Sequence, residues 1–79
     1  MSKKDKLLLK LRNNPTNVKF ETLRTILLSY GFSERQPRGG SSHYTYTLDE
    51  FIITVPKKKP LKAIYVKNVL RIIDEIDNN

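Results

Sequence analysis

Cysteine is absent from this sequence and histidine occurs once. The first absence removes disulfide staples, thiolate metal ligands and cysteine nucleophiles together. Without cysteine and with one histidine, a conventional zinc site is not expected. No apolar run approaches the ~20 residues of a membrane-spanning helix, and the start, MSKKDKLLLK, lacks a signal-peptide cleavage pattern, so the cytoplasm is the expected location. There are no repeats, linkers or low-complexity segments. A chain of 79 residues supports one domain, 1–79, because domains run from roughly 50 to 250 residues. It buries only about 60% of the surface its unfolded form exposes, so its core is single and thin. A hydrophobic content of 38% suits a folded domain rather than a disordered tail.

Acidic residues are also scarce. Eight Asp and Glu stand against fifteen Lys and Arg, a formal net charge of +7. That excess on so small a body points to an anionic partner, with nucleic acid ahead of an acidic protein or a membrane surface. Lys57, Lys58, Lys59 and Lys62 form one basic run, and Arg35 and Arg38 flank a glycine loop. A basic run can equally be a solvated, solubilising turn.

The local patterns divide the chain into six elements. Ser2 followed by Asp5 resembles a capping box ahead of Leu7, Leu8 and Leu11, and Asn13-Asn14-Pro15 ends that first helix. A second helix is expected from about Glu21 to Tyr30, with Leu23, Ile26, Leu27 and Tyr30 on one face and Gly31 as its stop. Phe32–Gln36 is a polar candidate edge strand, and residues 37–42 form a loop by composition. His43–Leu48 alternates strictly and Phe51–Val55 nearly so, with Asp49-Glu50 as a two-residue turn and Pro56 as a strand end. A last helix is expected from Leu61 or Lys62 to Asp77, with Val66, Val69, Leu70, Ile73 and Ile76 as its apolar face. The order α, α, β, β, β, α predicts an α+β two-layer sandwich: a three-stranded antiparallel sheet with helices on one side.

The hairpin register follows from the turn. Leu48 then faces Phe51, Tyr46 faces Ile53 and Tyr44 faces Val55, which puts three apolar pairs on the core side; a slip of one residue would expose them. His43, opposite Pro56, falls on the open, polar face. The lysine run leaves the third strand at the end where His43 begins the second, and the loop carrying Arg38, Gly40, Ser41 and Ser42 reaches the same end. Amides, hydroxyls and cations there would hold a phosphodiester while an imidazole moves a proton. The same histidine could be an ordinary surface residue. Tyr44 and Tyr46 are expected in the core, whereas Tyr65 lies beside the lysine run. The residues alone thus describe a basic nucleic-acid-binding domain with one candidate catalytic histidine.

Gly40-Ser41-Ser42-His43-Tyr44-Thr45-Tyr46 resembles the Gly-Ser-His signature of the HicA (YcfA-like) toxins, with an aromatic residue three positions after the histidine. Two serines separate Gly40 from His43 here, where the signature has one. Val18–Leu23 resembles the opening of that family's first helix and Gly31-Phe32 its entry into the first strand. Ile53–Pro56, followed by Lys57–Lys59, Pro60 and Leu61, resembles its last strand and basic turn, and Tyr65–Leu70 resembles its last helix. The resemblance runs from about Lys6 to Ile76. It implies a double-stranded-RNA-binding-domain-like fold and a metal-independent endoribonuclease, an mRNA interferase without cofactor. It further implies the toxin half of a toxin–antitoxin pair, held in check by a HicB-type antitoxin, with His43 essential for cleavage. RNA carries its own nucleophile, the 2′-hydroxyl, and an imidazole that titrates near neutrality suits the acceptance of its proton. A non-catalytic RNA-binding module and a small nucleic-acid-binding structural protein are the alternatives that charge and fold alone leave open.

Overall fold

The computed structural model describes residues 3–39, 42–58 and 61–78. Its element order is α1 (Lys3–Asn13), α2 (Phe20–Ser29), β1 (Ser33–Arg35), β2 (His43–Leu48), β3 (Phe51–Pro56) and α3 (Ala63–Asp77). The expected capping residue Ser2 lies outside the described residues. The three strands form one antiparallel sheet in the order β1-β2-β3, so the polar first strand does sit at an edge. The small α+β domain expected from the sequence is what the chain forms. No helix among the described residues is long and apolar enough to cross a membrane.

Each helix contributes a stripe to one core. Leu8 and Leu11 come from α1, Phe20, Leu23, Ile26 and Leu27 from α2, and Val66, Val69, Ile72 and Ile73 from α3. Ile72 extends the expected face of α3, while Leu70 and Ile76 are only partly buried against it. Helix α1 also packs on α3, where Arg12 pairs with Asp74. Helix α2 stops as its sequence requires: Gly31 takes φ +97°, a left-handed conformation open to glycine, and Phe32 N–H closes back on the Leu27 carbonyl at 3.1 Å. A single antiparallel bridge between Val18 and Leu61 ties the segment before α2 to the segment before α3.

The hairpin takes the expected register, with Leu48 against Phe51, Tyr46 against Ile53, Tyr44 against Val55 and His43 against Pro56. Tyr46, Ile53 and Val55 are buried, and Ile52 on the other face is 67% exposed. Of the two central turn residues only Asp49 takes a positive φ, +52°. Tight hairpin turns need such a residue to match the twist of their strands. Aspartate tolerates that conformation better than most side chains, which is how the turn forms without glycine.

Pro56 closes β3, as expected, and one further backbone bond lies beyond it. Lys57 N–H donates to the Ser42 carbonyl at 2.8 Å, the bond that flanks the His43–Pro56 pair. His43 and Pro56 are therefore a non-hydrogen-bonded pair, and the N–H that proline lacks would have pointed away from β2.

Candidate nucleic-acid interface

The open face of the sheet follows from the two registers. Ser33, Thr47 and Ile52 form one row across it, Arg35, Thr45 and Thr54 the next, and His43 with Pro56 the last. His43 is exposed, as expected; Pro56 beside it is buried. Arg35 is exposed and lies diagonally across from His43, a separation of roughly 7–8 Å between backbone positions that a long side chain can span. In the sequence Arg35 reads only as a flank of the loop. The alternation Ser33-Glu34-Arg35 puts it on the histidine's face once β1 is paired with β2, and that pairing has no tight turn to announce it.

The remaining basic residues distribute around the same end. Arg38 is exposed in the loop before β2, where Gly39 takes φ +66° with open space around it. Ser42 is half-buried, and its carbonyl is occupied by the ladder bond to Lys57. Gly40, Ser41 and Lys59 lie outside the described residues. Lys58 is exposed just beyond β3, and Lys62 is exposed at the N-cap of α3, next to the Leu61–Val18 bridge.

Lys57 differs from expectation in side, not in end. Lys57 follows Pro56 directly and bonds back to Ser42, so the alternation of β3 carries it to the face opposite His43. It lines a hollow on the helical side, together with Phe20 and Arg24 of α2, Glu34, Gln36 and Tyr44. Histidine and first lysine therefore meet at the open end of the hairpin from opposite faces of the sheet.

Tyr46 ties that side together. Its ring is wholly buried, and its hydroxyl donates to Glu34 Oε2 at 2.8 Å. Arg24 Nε reaches the same oxygen at 2.6 Å, so one carboxylate joins α2, β1 and β2. The Arg24 bond is the main reason the Glu34 carboxyl is held below the usual carboxylate range. Burial, then the bond to Glu34, pushes the Tyr46 phenol far above its ordinary range, so it remains a donor at any neutral pH.

Charge is distributed unevenly over the molecule. Asp74, Glu75 and Asp77 close α3, and Glu50 of the hairpin turn shares a hollow with Asp74 and Glu75. Each of those three helix acids has a partner: Arg12, Arg71 and the Tyr30 hydroxyl respectively. At the other end, none of the ion pairs among the described residues involves Arg35, Arg38, Lys57, Lys58 or Lys62. Helix α3 even carries its charges against its own dipole, with Lys62 at the positive N-terminus and acids at the negative C-terminus.

The arrangement can attract a polyanion to the basic end and present an imidazole and a guanidinium to it on one open face. No family model, no curated protein and no solved structure matches the chain.

Proposed function

We propose that this protein is a metal-independent endoribonuclease, an mRNA interferase of the HicA type, acting as the toxin of a toxin–antitoxin pair. The α+β order would then be a double-stranded-RNA-binding-domain-like fold put to catalytic use. One observation carries the reading: the sole histidine stands exposed beside the end where the cations, among the described residues, form no ion pairs.

In this reading the RNA backbone lies across the open end of the hairpin, its phosphates drawn by Arg38, Lys57, Lys58, Lys59 and Lys62. The loop residues Gly40, Ser41 and Ser42 supply amides and hydroxyls. His43 accepts the proton of the 2′-hydroxyl as that oxygen attacks the adjacent phosphorus. The bond from phosphorus to the 5′-oxygen breaks, and the departing oxygen takes a proton from solvent. The ends left are a 2′,3′-cyclic phosphate and a 5′-hydroxyl. Arg35, on the same face, neutralises charge on the non-bridging oxygens as it builds up. Positioned proton transfer of this kind contributes roughly 10²–10⁴-fold to rate, and electrostatic stabilisation adds a comparable factor.

A HicB-type antitoxin would be an acidic protein covering His43 and the basic end. A standard interface removes about 800 Å² from each partner, against a total surface here of 5408 Å². Occupation of that end alone would exclude RNA.

The test is cleavage of a purified mRNA in EDTA by the wild-type protein and by His43→Ala, with the ends mapped. The expected result is cleavage by the first, none by the second, and RNA binding by both. Full activity in His43→Ala would refute the catalytic role. Binding without cleavage by the wild-type protein would leave an RNA-binding module.

A further inference from the structure

The hollow beside Lys57 has features that the cleavage chemistry does not use. It encloses about 260 Å³, below the roughly 300–1,000 Å³ of ordinary small-molecule pockets, and so admits one ring system rather than a whole nucleotide. Its floor is aromatic: the Tyr44 ring is half-buried, packed at 5.0 Å and 56° on the buried Phe20. Tyr44 and Phe20 both line the hollow.

The rim balances in charge, with Arg24 and Lys57 against Glu21 and Glu34. Arg24 and Glu34 already satisfy one another. A phosphate gains little from such a rim, whereas an uncharged planar ring with hydrogen-bonding edges fits it. Gln36 continues the alternation of Glu34 onto this side, and its amide offers both donors and an acceptor.

From these features we infer that the hollow is a nucleobase subsite, in which a single-stranded base stacks on Tyr44 and is read along its edge by Gln36. The inference rests on the ribonuclease reading for its substrate. His43 and Tyr44 are consecutive and project to opposite faces of the sheet. An RNA strand crossing the open end of the hairpin therefore sets a phosphate beside one and a neighbouring base against the other. Lys57, at the open end on Tyr44's side of the sheet, meets the phosphate that links the two. Unstacked bases in single strands are read this way, on aromatic faces with their edges hydrogen-bonded. The hollow would thus set which sequence is cut, while the opposite face does the cutting.

The experiment uses AMP, GMP, CMP and UMP as probes, titrated separately into isotope-labelled full-length protein and followed by amide chemical shifts. One of the four should bind most tightly, with the largest shifts at Gln36, Tyr44 and Lys57. Gln36 is exposed, so Gln36→Ala keeps the fold. It should weaken that preferred nucleotide by roughly tenfold and reduce the differences among the four. On a mixed-sequence RNA it should still cut, at more sites. Shifts confined to the open face, or unchanged preferences in Gln36→Ala, would overturn the subsite. Base-selective binding in the hollow by a protein that cuts no RNA would uphold the subsite and reject the nuclease. Cutting with no nucleotide binding in the hollow would do the reverse.

Discussion

Replacing Glu34 by alanine should destabilise the protein far more than its position on a three-residue edge strand suggests. Only 12% of the Glu34 side chain is exposed, and its Oε2 accepts from both Arg24 and Tyr46. Glu34→Ala leaves the hydroxyl of a wholly buried tyrosine without an acceptor. An orphaned buried donor costs about 1–3 kcal/mol, and a hydrogen bond to a charged group about 1.5–3 kcal/mol, so a loss of about 2–3 kcal/mol is expected. Tyr46→Phe keeps the ring in the core and leaves Glu34 bonded to Arg24; its loss should be about 1.5 kcal/mol. The double variant removes donor and acceptor together, so its cost should fall well short of the sum of the two. Arg24→Ala, at a nearly half-exposed guanidinium, should cost less than Glu34→Ala. Urea denaturation measures all four, and thermal melting provides a check, since each kcal/mol lowers Tm by about 4–8 °C in a domain of this size. The pH dependence has a defined sign. Because the folded Glu34 carboxyl titrates below its unfolded value, its contribution is complete above the unfolded carboxylate pKa of about 4.3 and disappears as pH falls through the folded value. The cost of Glu34→Ala should therefore shrink in acid. Additive losses in the double variant, agreeing within about 0.3–0.5 kcal/mol, would refute the coupling of Tyr46 to Glu34.

Arg35→Ala should slow RNA cleavage and weaken binding while stability stays within about 0.5 kcal/mol of wild type; unchanged kinetics would remove it from the site. Replacement of Lys57, Lys58 and Lys59 together by alanine should weaken RNA binding across all sequences and flatten its salt dependence. A filter-binding series should show the logarithmic slope falling by about 0.7 for each phosphate no longer neutralised, and an unaltered slope would make the run a solvated turn. Asp49→Gly should raise stability by about 0.5 kcal/mol, because glycine takes the positive φ of that turn position without strain; a lower urea midpoint would contradict the turn geometry.

The hairpin is legible in the sequence because two independent patterns have to agree. Apolar positions 44, 46 and 48 match 55, 53 and 51 only in one register, and that register alone fixes the face of His43. The side taken by Lys57 is hidden because proline reads as the end of a strand. Its missing N–H matters only at a hydrogen-bonded pair, and Pro56 occupies the other kind. The bond from Tyr46 to Glu34 and the pairing of Glu34 with Arg24 join residues 12 and 10 positions apart. No period in the sequence announces them, since they depend on how α2 lies over the sheet. The basic end is visible as composition. That its described cations form no ion pairs is not, because the pairing of the acids at the other end is a tertiary matter.

The register that ends at Pro56 also shapes the free margin of the sheet. Along the outer side of β3 the outward positions are Ile52, Thr54 and Pro56, so an incoming strand would meet two amide donors and then none. Three lysines follow immediately in the sequence, and the opposite margin, β1, is only three residues long. Short, charged and proline-bearing margins resist the end-to-end addition of strands that leads to fibrils. The proline that costs the hairpin no internal bond thus denies the third donor to a neighbouring strand.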